Sequence, residues 1–244
     1  MIKIIIHITK FIIITITALL FASCNFNMNS IEGSGNVTTE KRTVQGEFKN
    51  ISVSNAIDLV IVQSDATEIT VEADDNLQKE IVTKVENGTL IIECKYSSFR
   101  NITSKKVTVK MPVVHKIEAS SASSVETEGL VQGEDITLEA SSAASMDVKI
   151  ESDRIAIDAG SGSSVDIEGK ALSLTTSVSS GGSIDAEKLM ANEVQADASS
   201  GGTVSVKAIL SLKADASSGG NINYSGTPKT IEKSATSGGS VNKS

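Results

Sequence analysis

The sequence has no tryptophan, two tyrosines and five phenylalanines, and only two prolines, two cysteines and two histidines in 244 residues. So few aromatics exclude an aromatic-lined catalytic pocket and a platform on which sugars stack; Tyr224 is the lone aromatic beyond Phe99. Two prolines exclude a proline-rich linker, and two cysteines exclude a disulfide scaffold. Arginine is confined to Arg42, Arg100 and Arg154, far apart in the chain. The net charge is −8. An acidic chain without basic clusters does not bind nucleic acid or an anionic membrane surface through its charge. What is present is Ile, Val, Leu and Ala, which carry most of the 39% hydrophobic content and suffice for a long, thin core.

Met1 to Ser23 has the form of an export signal. Lys3 and Lys10 give a short basic start, and Phe11 to Ala22 is an apolar stretch of signal-peptide length. Leu19-Leu20-Phe21-Ala22-Ser23-Cys24 resembles a bacterial lipobox, in which small residues precede an acylated cysteine. Residues 1–23 are therefore expected to be a lipoprotein signal peptide. Cys24 is the expected lipidation site, holding the chain to a membrane without a spanning helix. The competing readings are a transmembrane anchor, which Lys3, His7 and Lys10 weaken, and a plain secreted protein. Residues 24–39 lack periodicity, are small and polar, and are expected to form a flexible tether. Cys94 lies in the strand-like run Leu90-Ile91-Ile92-Glu93-Cys94 and is expected to be a buried thiol.

The second half repeats. A Ser/Gly/Ala segment closes on an apolar residue at Val125, Met146, Val165, Ile184, Val204, Ile222 and Val241, with spacings of 21, 19, 19, 20, 18 and 19. Ten residues before the anchor stand Ile136, Ile155, Leu174, Val194, Leu212 and Ile231, with His115 in the first copy. Six before stand Ala119, Ala140, Ala159, Val178, Ala198, Ala216 and Ala235. Four before, every copy has serine: Ser121, Ser142, Ser161, Ser180, Ser200, Ser218 and Ser237.

Between these columns the apolar residues alternate, as in Ile136-x-Leu138-x-Ala140, the period of a half-buried strand. The Ser/Gly segment breaks the strand, and a second short strand follows, as in Val165-x-Ile167. About 19 residues with two or three short strands form one coil of a parallel β-helix, in which coils stack about 4.8 Å apart and like residues lie over like. The serine column is expected to make a ladder of hydroxyl hydrogen bonds along the axis. A helical solenoid would need a 3.6 period and tolerate little glycine, yet 14 of the 18 glycines fall in 117–244. The fold expected is all-β, a single parallel β-helix over residues 40–244, with irregular capping coils at 40–116 and seven regular coils at 117–244. Asn87-Gly88 marks a hairpin inside the irregular part.

Gly35-Asn36-Val37, Arg42-x-Val44 and Phe48-x-x-Ile51-x-Val53-Ser54-x-x-Ile57-Asp58-Leu59-Val60-Ile61 resemble the opening of the head GIN domain family of auto-transporter adhesins. Val71-x-Ala73-Asp74-Asp75-Asn76-Leu77 and Asn87-Gly88-x-Leu90-Ile91-Ile92 continue the likeness, and Gly220-Asn221-Ile222-Asn223 is similar to the turn that gives the family its name. The resemblance covers about 40–244. It implies a right-handed parallel β-helix on an exported bacterial protein, often a lipoprotein, and it brings no catalytic residues and no agreed ligand.

Seven residues before the anchor stand Glu118, Glu139, Asp158, Asp197 and Asp215, with Ser177 and Ser234 interrupting. In stacked coils these carboxylates form a stripe with steps of about 5 Å. Four readings are open: solvated outward acids that discourage aggregation, a weak calcium stripe of hard oxygen ligands, a face for a glycan or cell-surface protein, or neighbouring acids acting as an acid–base pair on a polysaccharide. No catalytic residue is assigned and no cofactor is expected. The function expected is a non-enzymatic adhesion or scaffold module, lipid-anchored to the outer membrane on its periplasmic or surface face. The alternatives are a polysaccharide-acting enzyme on a β-helix, and an envelope structural protein that self-assembles end to end as a homo-oligomer.

Overall fold

The computed structural model describes residues 30–244 together with Lys10. Cys24 and the expected signal segment, apart from Lys10, lie outside the described residues. Within residues 30–244 every regular element is a strand. The first nine are β1 (Ser30–Glu32), β2 (Val37–Arg42), β3 (Asn50–Val53), β4 (Asp58–Gln63), β5 (Glu68–Asp74), β6 (Ile81–Glu86), β7 (Thr89–Cys94), β8 (Ser98–Arg100) and β9 (Lys105–Met111). The rest are β10 (Lys116–Ala119), β11 (Ser124–Thr127), β12 (Val131–Ala140), β13 (Ser145–Ala159), β14 (Ser164–Val178), β15 (Ser183–Ala198), β16 (Thr203–Ala216), β17 (Asn221–Gly226), β18 (Thr230–Ala235) and β19 (Ser240–Lys243).

From β10 onward the chain winds as a parallel solenoid of about seven turns. The register is the one the repeat dictates. Val125 pairs with Met146, Met146 with Val165, Val165 with Ile184, Ile184 with Val204, Val204 with Ile222 and Ile222 with Val241. The column that starts at Ile136 likewise runs in register through Ile155, Leu174, Val194 and Leu212 to Ile231. Up to the sixth rung each aliphatic side chain is thereby buried by its equivalents above and below, so the core is one continuous cluster from Ile51 to Tyr224.

The corner between the two strands of a rung is the same tight turn every time. Ser121 and Ala122 have φ of 55° and 60°, and each later rung repeats the pair, as in Ser218 and Gly219 at 49° and 77°. Two successive left-handed residues are the signature of a type I′ turn. Its closing bond is present in every rung, for example from Ser123 N–H to the Ser120 carbonyl at 3.2 Å and from Gly220 N–H to the Ser217 carbonyl at 2.8 Å. The serine column differs from expectation. Its side chains are exposed, and the ladder along the axis is made by backbone: Gly181 N–H donates to the Ser200 carbonyl and Gly201 N–H to the Ser218 carbonyl, each at 3.2 Å. The left-handed backbone turns each carbonyl along the axis, which satisfies the peptide groups of the corner without help from the hydroxyls.

The N-terminal part does not wind monotonically. β3 and β4 form a rung of their own, with the same left-handed corner at Asn55 and Ala56, and this rung stacks directly under β10 and β11. The chain then runs outward to β7 and β9, which lie parallel on the far side of β3 and β4, before it returns to β10. Antiparallel strands close this end: β6 on β7 through Asn87-Gly88, and β5 on β9 with β2 on β5. The irregular coils expected at 40–116 are therefore a mixed sheet wrapped round two rungs. β1, at residues 30–32 of the stretch expected as tether, pairs in parallel with β8.

Candidate functional site

The five acids singled out in the sequence stand in one column. Glu118 is in register with Glu139, Glu139 with Asp158, Asp158 with Ser177, Ser177 with Asp197, and Asp197 with Asp215. They project outward because they lie one residue from the buried alanine column, and strand side chains alternate. The corner that follows bends the chain away from this face and leaves a concavity along the column. One groove of about 540 Å³ is lined by Glu118, Glu139, Asp158 and Ser177 together with Ser120, Ser141 and Ser179 of the corners. A second, of about 230 Å³, continues along the same column past Asp197, Asp215, Ser199 and Ser217. The structure thus brings all five acids to one long face and places hydroxyls beside them.

The column has cationic company that its own spacing does not reveal. Lys116, two residues before Glu118 on the same outward face, pairs with Glu118 and reaches Glu139 of the next rung at 2.9 Å. Hydrogen bonds to Glu118 and Glu139 hold the Lys116 ammonium above the usual lysine range. Farther along, Gln195 donates to Asp197 at 3.3 Å. Among the described residues, no three side chains of His, Cys, Asp or Glu gather closely enough to hold a metal ion. A straight column offers neighbouring carboxylates pointing the same way, whereas calcium requires six to eight oxygens converging on one point.

Two further faces went unread in the sequence. Glu126, Asp147, Asp166 and Asp185 form a second acidic column on the far side of the corner. Burial, followed by the charges of Asp185 and Asp147, pushes the Asp166 carboxyl up. The same alignment carried the signal, since these acids directly follow the first four anchors. The other face is apolar: Leu172, Met190 and Ile209 line one groove, and Leu172 is 56% exposed. Met190 points outward between buried Leu189 and Ala191, and Leu172 follows buried Ala171; the register between β15 and β16 shifts around Met190 and Ala191, which a repeat read at fixed spacing does not show.

Cys94 is buried, and burial pushes its thiol up, away from the reactive thiolate. Asp135, adjacent in sequence to the first column's rung, is held below the usual carboxylate range by its hydrogen bonds from Arg154, a surface clamp between successive rungs.

Comparison with known proteins bears on the same stretch of chain. The family model described as “Putative auto-transporter adhesin, head GIN domain” matches residues 47–228. A solved structure of a “putative adhesin” from Bacteroides fragilis superposes with a TM-score of 0.80 at 22% identity, covering 88% of this chain and 100% of the other. Another “putative adhesin”, from Parabacteroides distasonis, gives 0.71 at 24%, covering 88% and 100%. A protein from the same species described as “putative lipid binding protein” gives 0.72 at 23%, covering 88% and 99%. At these identities the likeness is one of fold. No curated protein matches this chain. An adhesin family is one of extracellular or envelope proteins.

Proposed function

Because this chain belongs to the head GIN domain family of auto-transporter adhesins, we propose that it is a non-enzymatic adhesion or scaffold module of the bacterial envelope. A lipid on Cys24 anchors it to the outer membrane, and the groove along Glu118, Glu139, Asp158, Asp197 and Asp215 is its contact face. The observation that supports this reading is the alignment of five carboxylates and the neighbouring corner hydroxyls in one column, along two successive grooves of the solenoid. Carboxylates are acceptors only, and serine hydroxyls both donate and accept. A line of such groups at regular steps matches a ligand with regularly spaced hydroxyl or ammonium donors, such as a neutral or basic glycan, or a lysine-rich surface segment of another protein. Aromatic stacking plays no part, and affinity comes from many modest hydrogen bonds in series.

The test is titration of the soluble domain against neutral, basic and acidic oligosaccharides. Neutral or basic chains are expected to bind, and Asp197→Ala with Asp215→Ala to weaken binding at least about tenfold, one tenfold step being about 1.4 kcal/mol. Equal binding by the double variant overturns the groove as the contact face. Turnover of any of these oligosaccharides by the protein overturns the non-enzymatic reading. The anchor is tested separately: Cys24→Ala is expected to release the protein from the membrane fraction, and protease shaving of intact cells reports which face it occupies.

A further inference from the structure

The inward columns of the solenoid change character at the seventh rung. Seven rungs share the column Ile117, Leu138, Ile157, Thr176, Ala196, Ala214 and Lys233, paired in register throughout. The first six are at most 1% exposed; the seventh is a lysine. On the other strand of the rung, Ala186, Val206, Tyr224 and Lys243 form a second inward column, buried as far as Tyr224 and again ending in lysine. The Lys233 ammonium lies 4.4 Å from the centroid of the Tyr224 ring, so it reaches across the mouth of the core and rests on the aromatic face. Among the described residues, β18 and β19 pair on one side only, with β16 and β17. Ile231, whose equivalents in the rungs below are buried, is 44% exposed there.

A rung that pairs on one side only is a template for another strand. Here the template fits the rung beneath it and repels what would come next. A strand added to β18 and β19 would set its inward side chains over Lys233 and Lys243. It would either bury two ammonium groups without counter-ions or pull Lys233 off Tyr224. Glu232, the one acid of these two strands, alternates with Lys233 and so faces outward, where it cannot neutralise the core positions.

We propose that Lys233 and Lys243, with Tyr224 beneath them, are a built-in stop that keeps the seventh rung from adding a second copy of this chain. The stop runs against the alternative of an end-to-end assembling envelope protein, at least through this edge. It does not depend on what the acidic groove binds.

The experiment compares the wild type with Lys233→Leu plus Lys243→Val by light scattering on a sizing column and by small-angle scattering. The double variant is expected to self-associate at concentrations where the wild type stays unchanged, with maximum dimension growing along the rod axis. The charge-keeping pair Lys233→Arg plus Lys243→Arg is expected to behave as the wild type. A control pair on the flank, Lys188→Leu plus Lys213→Val, makes the same two replacements away from the edge. Equal association by that control, or none by the edge variant, overturns the proposal. Where the edge variant fails to fold, hydrogen exchange on the wild type decides: amides of β18 and β19 are expected to exchange at a rate independent of protein concentration. Protection that rises with concentration overturns the stop.

Discussion

Gly220 packs its bare α-carbon against the backbone of Ala198 in the rung below; a Cβ placed on Gly220 would lie 2.3 Å from the Ala198 carbonyl oxygen. The same place in the corner is Ser123, Ala144 and Ser163 in the first three regular rungs and glycine from Gly182 onward. The early rungs leave room for a side chain, and Ser163 uses it to donate a hydrogen bond to the Ala140 carbonyl at 2.9 Å. The later rungs close that room. Gly220→Ala is therefore expected to cost roughly 3 kcal/mol, within the range of overpacked buried sites. A urea melt of this variant beside Ser163→Ala, expected to lose about 1 kcal/mol with its hydrogen bond, separates close approach from bonding.

At the other corner position it is backbone conformation that decides. Ser200 has φ of 49° and an exposed side chain, and its carbonyl accepts from Gly181 of the rung below. A β-branched residue is strongly disfavoured in that left-handed region. Ser200→Val is expected to lower stability by about 2 kcal/mol. Ser200→Gly is expected to be neutral to stabilising by up to about 0.5 kcal/mol, since relief of strain and the extra freedom of the unfolded chain oppose each other. A valine variant as stable as the wild type would show that the corner is not held in this conformation.

Thr176 sits in the core column between Ile157 and Ala196, and its buried hydroxyl has no hydrogen-bond partner among the described residues. An unsatisfied buried hydroxyl carries its full desolvation penalty. Thr176→Val keeps the branched shape and removes that penalty, so thermal unfolding is expected to move upward, with a gain of about 1 kcal/mol. A loss of stability would mean that the hydroxyl has a partner, such as a bound water.

The regular rungs were legible because stacking in register forces each column to keep its chemistry. The Val125 and Ile136 columns and the alanine corner could be aligned by counting, and the structure places each of them as counted. The acid column followed from the same arithmetic. What the sequence hid was everything that departs from one period. β3 and β4 stack beside β10 and β11 although some 50 residues separate them, and no spacing encodes an excursion outward and back. The role of serine was misread for a related reason: its constancy suggested hydroxyl bonding, whereas what the column holds constant is a left-handed backbone, which later rungs pair with glycine and earlier ones with alanine. Lys116 escaped notice as a partner of Glu139 because the contact crosses rungs.

The second acidic column makes stability depend on pH in a direction opposite to that of most paired carboxylates. Asp166 lies between Asp147 below and Asp185 above; the charged groups around it are Lys149 and Glu168, which pair with each other at 2.7 Å, and Lys188 of the next rung, which partly offsets the repulsion. Burial and the flanking carboxylates raise its pKa in the folded state above the ordinary aspartate value, so the folded state holds the proton more tightly than the unfolded one. The stabilising contribution is then complete at pH below 3.8 and is lost as pH rises through the folded value. At neutral pH Asp166→Asn is expected to stabilise the protein by about 0.5 kcal/mol, a modest figure because the column is solvent-screened. The difference between variant and wild type should shrink in high salt and vanish near pH 3. Urea melts of both proteins at neutral and acid pH, each with and without salt, check it. A variant less stable at neutral pH would show that Lys188 outweighs the two flanking aspartates.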